Sequence, residues 1–253
     1  MVLAYYFKAT KIRLTLAVLT ICFLAIPTSE FRQQELIIWN VGQGQWITYS
    51  SATKCIHFDS GGEHFDKVKI LTSCQSKRNI FLLSHGDWDH MSFLAWASHH
   101  LARPCLGLAP LLNLSSHKLK IIKAIKKCPS LPARIQNLSN QLIRFRDKNS
   151  NSNVVVLNRQ WLIPGDSTSK AEKFWSRQIN ALKKVKYLVL GHHGSRTSTS
   201  ELLLERLPHL RIAFASARKA VYGHPHEAVK FRLHRHHIPL VTTEDWGNIH
   251  IKF

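Results

Sequence analysis

Short apolar runs, each ended by glycine or by a histidine–aspartate cluster, set the pattern of the chain. "ELIIWN" (35–40), "WITYS" (46–50) and "KCIHF" (54–58) are rich in β-formers and are separated by "VGQGQ" and "DSGG", where glycine permits tight turns. "NIFLLS" (79–84) reads as a buried strand, and "MSFLAWASHHLA" after it as a helix. Helical spacing returns in "SSHKLKIIKAIKKC" (115–128). Strands are expected at 141–145, 153–157 and 160–166, and a helix over 169–184 with Thr168 or Ser169 as its N-cap. Strand and helix then alternate: strands at 185–190, 211–216, 238–243 and 248–253, helices at 200–207 and 226–236. The Asn/Ser stretch "DKNSNSNV" (147–154) reads as one exposed loop.

A block of strands followed by alternating helices and strands predicts two sheets with helices outside, a four-layer αββα sandwich of the α/β class. An ordinary three-layer α/β fold fits the same periodicity. The 253 residues suit one large domain plus a short appendage, and a hydrophobic content of 45% supports a real core rather than disorder. The appendage is residues 1–34, where Lys8, Lys11 and Arg13 precede the uncharged stretch Leu14–Ser29. At 1.5 Å per residue that stretch falls short of the ~30 Å hydrocarbon core. It is expected to be a signal peptide or a short membrane anchor, with the basic flank cytoplasmic and the domain of residues 35–253 on the extracytoplasmic side. A buried N-terminal helix is the alternative. Ile21 is a poor residue before a lipidated Cys22.

Charge narrows the choice of partner. Lys and Arg number 35 against 15 Asp and Glu, a net charge of +20, and the first 35 residues hold little of the excess. Such a field gathers polyanions, nucleic acid first among them, although anionic lipid headgroups satisfy it too. Cys55, Cys74, Cys105 and Cys128 form no C-x-x-C pair, so a structural zinc site is unsupported. Outside the cytoplasm they would form one or two disulfides; buried free thiols are the other reading.

The chemistry concentrates in "LLSHGDWDH", where His85, Asp87, Asp89 and His90 lie within six positions at the end of an apolar strand. Three further clusters also end apolar runs: Asp166 after "WLIPG", His192 and His193 after "VKYLVLG", and His224 and His226 in "YGHPHE". Convergent strand ends can gather them over one pocket. His57, His99, His100, His117, His209, His234, His236, His237 and His250 lack such company and read as ordinary surface or core residues. Imidazoles and carboxylates in this number suit two divalent ions, zinc or manganese, with Asp166 as the expected bridge. Asp87 offers oxygen where imidazole would favour zinc, which makes manganese competitive.

The combination "IIWNVGQGQWITY", "HFDSGG", "LLSHGDWDH", "WLIPGD", "VLGHHGSRTSTS", "VYGHPHEAV" and "TTEDWGNIHI" resembles the C-terminal metallo-β-lactamase-like domain of ComEC-type competence proteins over residues 35–253. The resemblance implies an αββα hydrolase with a two-metal site and a nuclease role on incoming DNA outside the cytoplasmic membrane. It places metal ligation on His85, Asp87, Asp89, His90, Asp166, His192 and His193, without choosing within the last pair. Asp89, His193, His224 and His226 are the catalytic candidates, and Ser195 and Tyr222 the substrate contacts. It further implies that the chain is the tail of a larger channel protein made separately, with the DNA channel a separate partner. Two positions depart from the family: Asn40 stands for its usual Asp, expected to support the metal pocket from behind, and Gln45 for an acidic residue.

Three readings stay open on sequence alone. The first is a metal-dependent phosphodiesterase acting on DNA during uptake. The second is the same enzyme class on another phosphoester or a lipid-linked polymer. The third is a catalytically weakened DNA-binding remnant, with Asn40 and Gln45 as its symptoms.

Overall fold

The computed structural model describes residues 34–111, 114–139 and 144–252. The expected segment Leu14–Ser29 lies outside them, and so does most of the strand expected at 141–145. Among the described residues no helix is long and apolar enough to cross a membrane.

Twelve strands among the described residues form two six-stranded sheets. The first contains β1 (Glu35–Ile38), β2 (Ile47–Ser50), β3 (Lys54–Phe58), β4 (Arg78–Leu82), β5 (Pro104–Leu108) and, returning from the far end of the chain, β12 (Ile249–Lys252). Its order is β12-β1-β2-β3-β4-β5, antiparallel up to β3 and parallel from β3 to β5. The second contains β6 (Ile135–Asn137), β7 (Val155–Leu157), β8 (Trp161–Ile163), β9 (Tyr187–Val189), β10 (Ile212–Ala215) and β11 (Leu240–Thr242). Its order is β11-β10-β9-β8-β7-β6, parallel from β8 to β11.

Three apolar clusters explain the layering. Leu36, Ile38, Tyr49, Ile56 and Leu82 of the first sheet meet Leu157, Trp161, Ile163 and Phe214 of the second. On the outer face of the first sheet, Ile37, Phe81 and Cys55 pack against Ile70, Met91, Leu94 and Ala97 from helices. On the outer face of the second, Val156, Leu162 and Leu188 pack against Trp175, Leu203, Val229 and Leu233. Successive strand residues face opposite ways, so strands buried on both sides read as continuous apolar runs. The expected four-layer arrangement follows.

Several helices are shorter than their periodicity predicts. The helix expected over 169–184 divides into Ser169–Trp175 and Ile179–Leu182. Ser176 hydroxyl hydrogen-bonds back to the Glu172 carbonyl where the first piece ends. The helix expected at 115–128 stops at Lys123, and Lys127 instead bridges Leu106 of β5. Cys128 is joined there to Cys105, and Cys55 to Cys74, so the four domain cysteines form two disulfides rather than free thiols. The loop expected to be exposed at 147–154 is buried from Ser150 onward. Its amides satisfy backbone carbonyls: Asn151 Nδ2 donates to Phe145 and Asp147, and Asn153 Nδ2 to Leu83 and Ala109.

Candidate metal centre

The candidate residues follow the C-terminal ends of parallel strands in both sheets, where α/β sheets present functional side chains. Asp59 follows β3 and His85–His90 follow β4; Asp166 follows β8 and His192–His193 follow β9. Close backbone approach brings the two groups together. Gly165 has φ +55°, and a Cβ on it would lie 2.4 Å from Ser84 Cβ. His192 and His193 both adopt left-handed backbone, φ 50° and 55°, which non-glycine residues seldom take and which turns the two rings apart. Gly194 completes that turn at φ +84°, against Pro225.

Asp166 is 3% exposed, and its two carboxylate oxygens face different residues. Oδ1 lies 2.9 Å from His90 Nε2 and 3.7 Å from His193 Nε2. His193 Nε2 is in turn 3.2 Å from Asp89 Oδ2. Oδ2 lies 3.7 Å from His85 Nε2 and 3.6 Å from His192 Nε2. His85 Nε2 is 3.6 Å from Asp87 Oδ2. One donor set is therefore Asp89, His90, His193 and Oδ1 of Asp166, all within 4.8 Å of one another. The other gathers His85, Asp87, His192 and Oδ2. Both members of the His192–His193 pair approach Asp166, from opposite sides.

Outer partners turn three rings inward. His90 Nδ1 lies 2.7 Å from Asp59 Oδ2, and His193 Nδ1 lies 2.9 Å from the Ser216 carbonyl. Ser84 Oγ donates to Asp59 Oδ2 and so accepts from His85 Nδ1 at 3.0 Å. Each of these rings presents Nε2 to the centre, the arrangement that outer hydrogen bonds impose on metal-binding histidines. Asp59 is itself held by the Ser84 backbone N–H (2.7 Å) and by Gln45 Nε2 (2.8 Å).

The charges are mutually dependent. Burial alone would raise the Asp166 carboxyl, but the His90, His193 and His85 imidazoles outweigh it and hold it well below the usual carboxylate range. Burial alone would lower His90, but Asp166 and Asp59 outweigh it and hold the ring well above its ordinary value. Asp89 is likewise lowered by His193 and His90 against the effect of its burial. The His85 ring, 3.6 Å away, together with the Lys148 ammonium, depresses Asp87. Burial lowers His192 and His224.

Fit to a divalent cation rests on atoms left without partners. His85 Nε2 and Asp166 Oδ1 are buried and make no hydrogen bond among the described residues. His90 Nε2 and His193 Nε2 face each other at 3.2 Å, a pairing that needs a proton or a cation between the lone pairs. Neutral imidazoles and carboxylates are suitable donors for such an ion.

The remaining candidates have other contacts. His224 is half-buried, with Nδ1 3.4 Å from Gln43 Nε2 and its ring 6.2 Å from that of His192. His226 Nδ1 accepts from Ala228 N, capping its own helix Glu227–Arg235. Tyr222 is 49% exposed and donates to Glu63 Oε1. Ser195 Oγ pairs with Thr197 Oγ1 at 3.0 Å. Of the two departures from the family pattern, Asn40 braces its own turn through Gly42 N and Asn248. Gln45 is the one that reaches the centre, through Asp59. Asp59 was not a candidate on sequence; its signal was a carboxylate closing the apolar run "KCIHF". His57 is a core residue, as expected, with Nε2 on Asn79 Oδ1 and Nδ1 accepting from Trp46 Nε1.

Comparison with known proteins agrees with this architecture. The chain is 26% identical over 266 aligned positions to Recombination protein 2 of Haemophilus influenzae, covering 97% of this chain and 32% of the relative. It is 25% identical over 232 positions to Competence protein ComA of Neisseria gonorrhoeae, covering 87% and 32%. It is 30% identical over 95 positions to ComE operon protein 3 of Bacillus subtilis, covering 37% and 12%. The chain thus spans about a third of the length of the first two. No protein-family model matches it. Among solved structures, it is similar to the metallo-beta-lactamase fold protein YhfI from Bacillus subtilis, with TM-score 0.55, 9% identity and coverage of 87% of this chain and 100% of that one. It is also similar to a diphosphatase of the PhnP family, with TM-score 0.53, 11% identity and coverage of 88% and 98%. The metallo-β-lactamase fold and the resemblance to ComEC-type competence proteins both hold. The fold and the His/Asp cluster together suit the binding of a divalent metal ion.

Proposed function

We propose that the chain is a two-metal phosphodiesterase that cleaves DNA during uptake. The observation that carries this reading is Asp166, whose two oxygens each face a separate set of imidazole and carboxylate donors. Asp89, His90 and His193 would hold one divalent ion, zinc or manganese, and His85, Asp87 and His192 the other, with Asp166 shared. Bound there, the ions would supply Lewis acidity toward a phosphoryl group and would activate water at neutral pH.

The chain's own residues supply orientation and proton handling. Asp59, Ser84 and the Ser216 carbonyl fix the ring orientations of His90, His85 and His193. Half-buried His224, neutral and with Nδ1 accepting from Gln43 Nε2, would keep Nε2–H as a hydrogen-bond donor to the leaving oxygen. The names of the relatives, a recombination protein and a competence protein, support DNA as the substrate. The net charge of +20 supports it too. Two disulfides suit an oxidising compartment, which supports an extracytoplasmic domain tethered through Leu14–Ser29, with a separate channel protein as partner.

The test is cleavage of fluorescent DNA with added manganese, alongside metal analysis, for the wild type, Asp87→Ala and Asp89→Ala. Both variants should lose at least about 100-fold in rate, the scale of loss expected when charge stabilisation at the reacting group is removed. Equal cleavage by all three proteins would refute the reading.

A further inference from the structure

We infer that the open groove beside His192 seats the phosphodiester backbone of a nucleic-acid strand, gripped by Lys170, Arg196 and Arg232. The inference rests on the phosphodiesterase reading and assigns its substrate a path across the protein. The groove has a volume of about 790 Å³ and is walled by those three cations, Thr197, Asn149 and His192. His192 Nε2 is 3.6 Å from Asp166 Oδ2, so the groove shares one wall residue with the donor set.

The state of the cations is the distinguishing observation. Lys170 and Arg196 are exposed, and neither side chain makes an ion pair or hydrogen bond among the described residues. Arg232 is held in place, with Nε on the Ala228 carbonyl at 3.0 Å and Nη2 on the Arg196 carbonyl at 3.3 Å, which leaves Nη1 for a ligand. The one carboxylate on the wall, Asp147, already accepts from Ser150 N. A second cavity, of about 180 Å³, lies on the other side of the centre beside His85 and Asp87. Its two lysines are committed: Lys148 to Asp87 Oδ1 and Lys118 to the Gly86 carbonyl. Unpaired cations lie along the larger groove, and these are what the phosphates of a strand neutralise, with release of counterions.

The experiment measures binding of a fluorescein-labelled single-stranded oligothymidylate to the full chain in EDTA, by anisotropy across a range of salt. The Lys170→Ala/Arg196→Ala protein should bind roughly tenfold more weakly, with the slope of log K against log salt shallower by about 1.4, at ~0.7 per lost phosphate contact. Lys123→Ala/Lys126→Ala removes the same charge from exposed positions on a different segment and should leave the slope unchanged. An unaltered slope in the first variant, or an equal loss in the second, overturns the inference. Displacement of the probe by polyglycerol phosphate as readily as by unlabelled DNA, at equal phosphate, overturns the choice of nucleic acid. Manganese-dependent hydrolysis of bis(4-nitrophenyl) phosphate by the wild type separates the two claims. If it occurs while the slope is unaltered, the groove assignment fails alone; if it is absent while the slope falls as expected, the phosphodiesterase reading fails and the groove stands as a binding site only.

Discussion

Asp59 Oδ2 lies 2.7 Å from His90 Nδ1, buried just past the C-terminal end of β3 and on the side of the ring away from Asp166. A carboxylate in this position fixes the tautomer and raises the basicity of the inward nitrogen. Asp59→Asn should therefore weaken zinc or manganese binding about 10- to 100-fold while leaving the fold intact. Titration calorimetry with the metal alone checks it, and unchanged affinity would remove Asp59 from the site.

Lys148 and Asn149 lie over the other donor set. Lys148 Nζ is 2.7 Å from Asp87 Oδ1, and Asn149 Nδ2 is 3.3 Å from His192 Nε2. The ammonium occupies a position where a metal ion would be its competitor. Lys148→Ala should raise the affinity of the His85–Asp87–His192 set for manganese and bring its stoichiometry closer to two per chain. Stability should change by less than about 1 kcal/mol, because the lysine is largely exposed. Metal content after dialysis, with a parallel melting curve, distinguishes the two effects.

His57 sets an acid limit on stability. Burial lowers its pKa to about 4, against which the hydrogen bond to Asn79 works only partly. The unfolded chain protonates near 6.5, so between these values it binds more protons than the folded one. The contribution is complete above pH 6.5 and is lost as pH falls through 4, at up to about 1.4 kcal/mol per pH unit. Urea midpoints recorded from pH 7 to 4 should show that extra slope in the wild type and lack it in His57→Gln.

The disulfides Cys55–Cys74 and Cys105–Cys128 close loops of 19 and 23 residues. Loop-closure entropy makes each worth about 3 kcal/mol. Cys105→Ser/Cys128→Ser should lower stability by that order, measured by denaturant unfolding. A reductant should then affect the variant less than the wild type.

Much of the centre was legible because its residues obey local rules. His85, Asp87, Asp89 and His90 are close in sequence, and Asp166 and His192–His193 each end an apolar strand. Asp59 was harder to see because its partner His90 is 31 positions away and no spacing marks the pair. Gln45, read as a departure that weakens the site, donates to Asp59, where a second carboxylate would repel it. β5 was missed because "PCLGL" opens on proline and contains glycine, both unfavourable in strands, and β6 because "IQN" is too short to show alternation. The buried run Ser150–Asn153 looked like solvent-facing loop because its composition is polar. Side-chain amides substituting for secondary-structure hydrogen bonds leave no periodic trace.

The donors are divided between the sheets, with His85 to His90 on one and Asp166 to His193 on the other. An ion seated between them would act as a rivet through the sandwich, tightening the molecule whenever it is loaded. Heat resistance should then rise with free metal as the logarithm of its concentration over the dissociation constant. A simple thermal melt would serve as a gauge of occupancy, readable before any substrate is known.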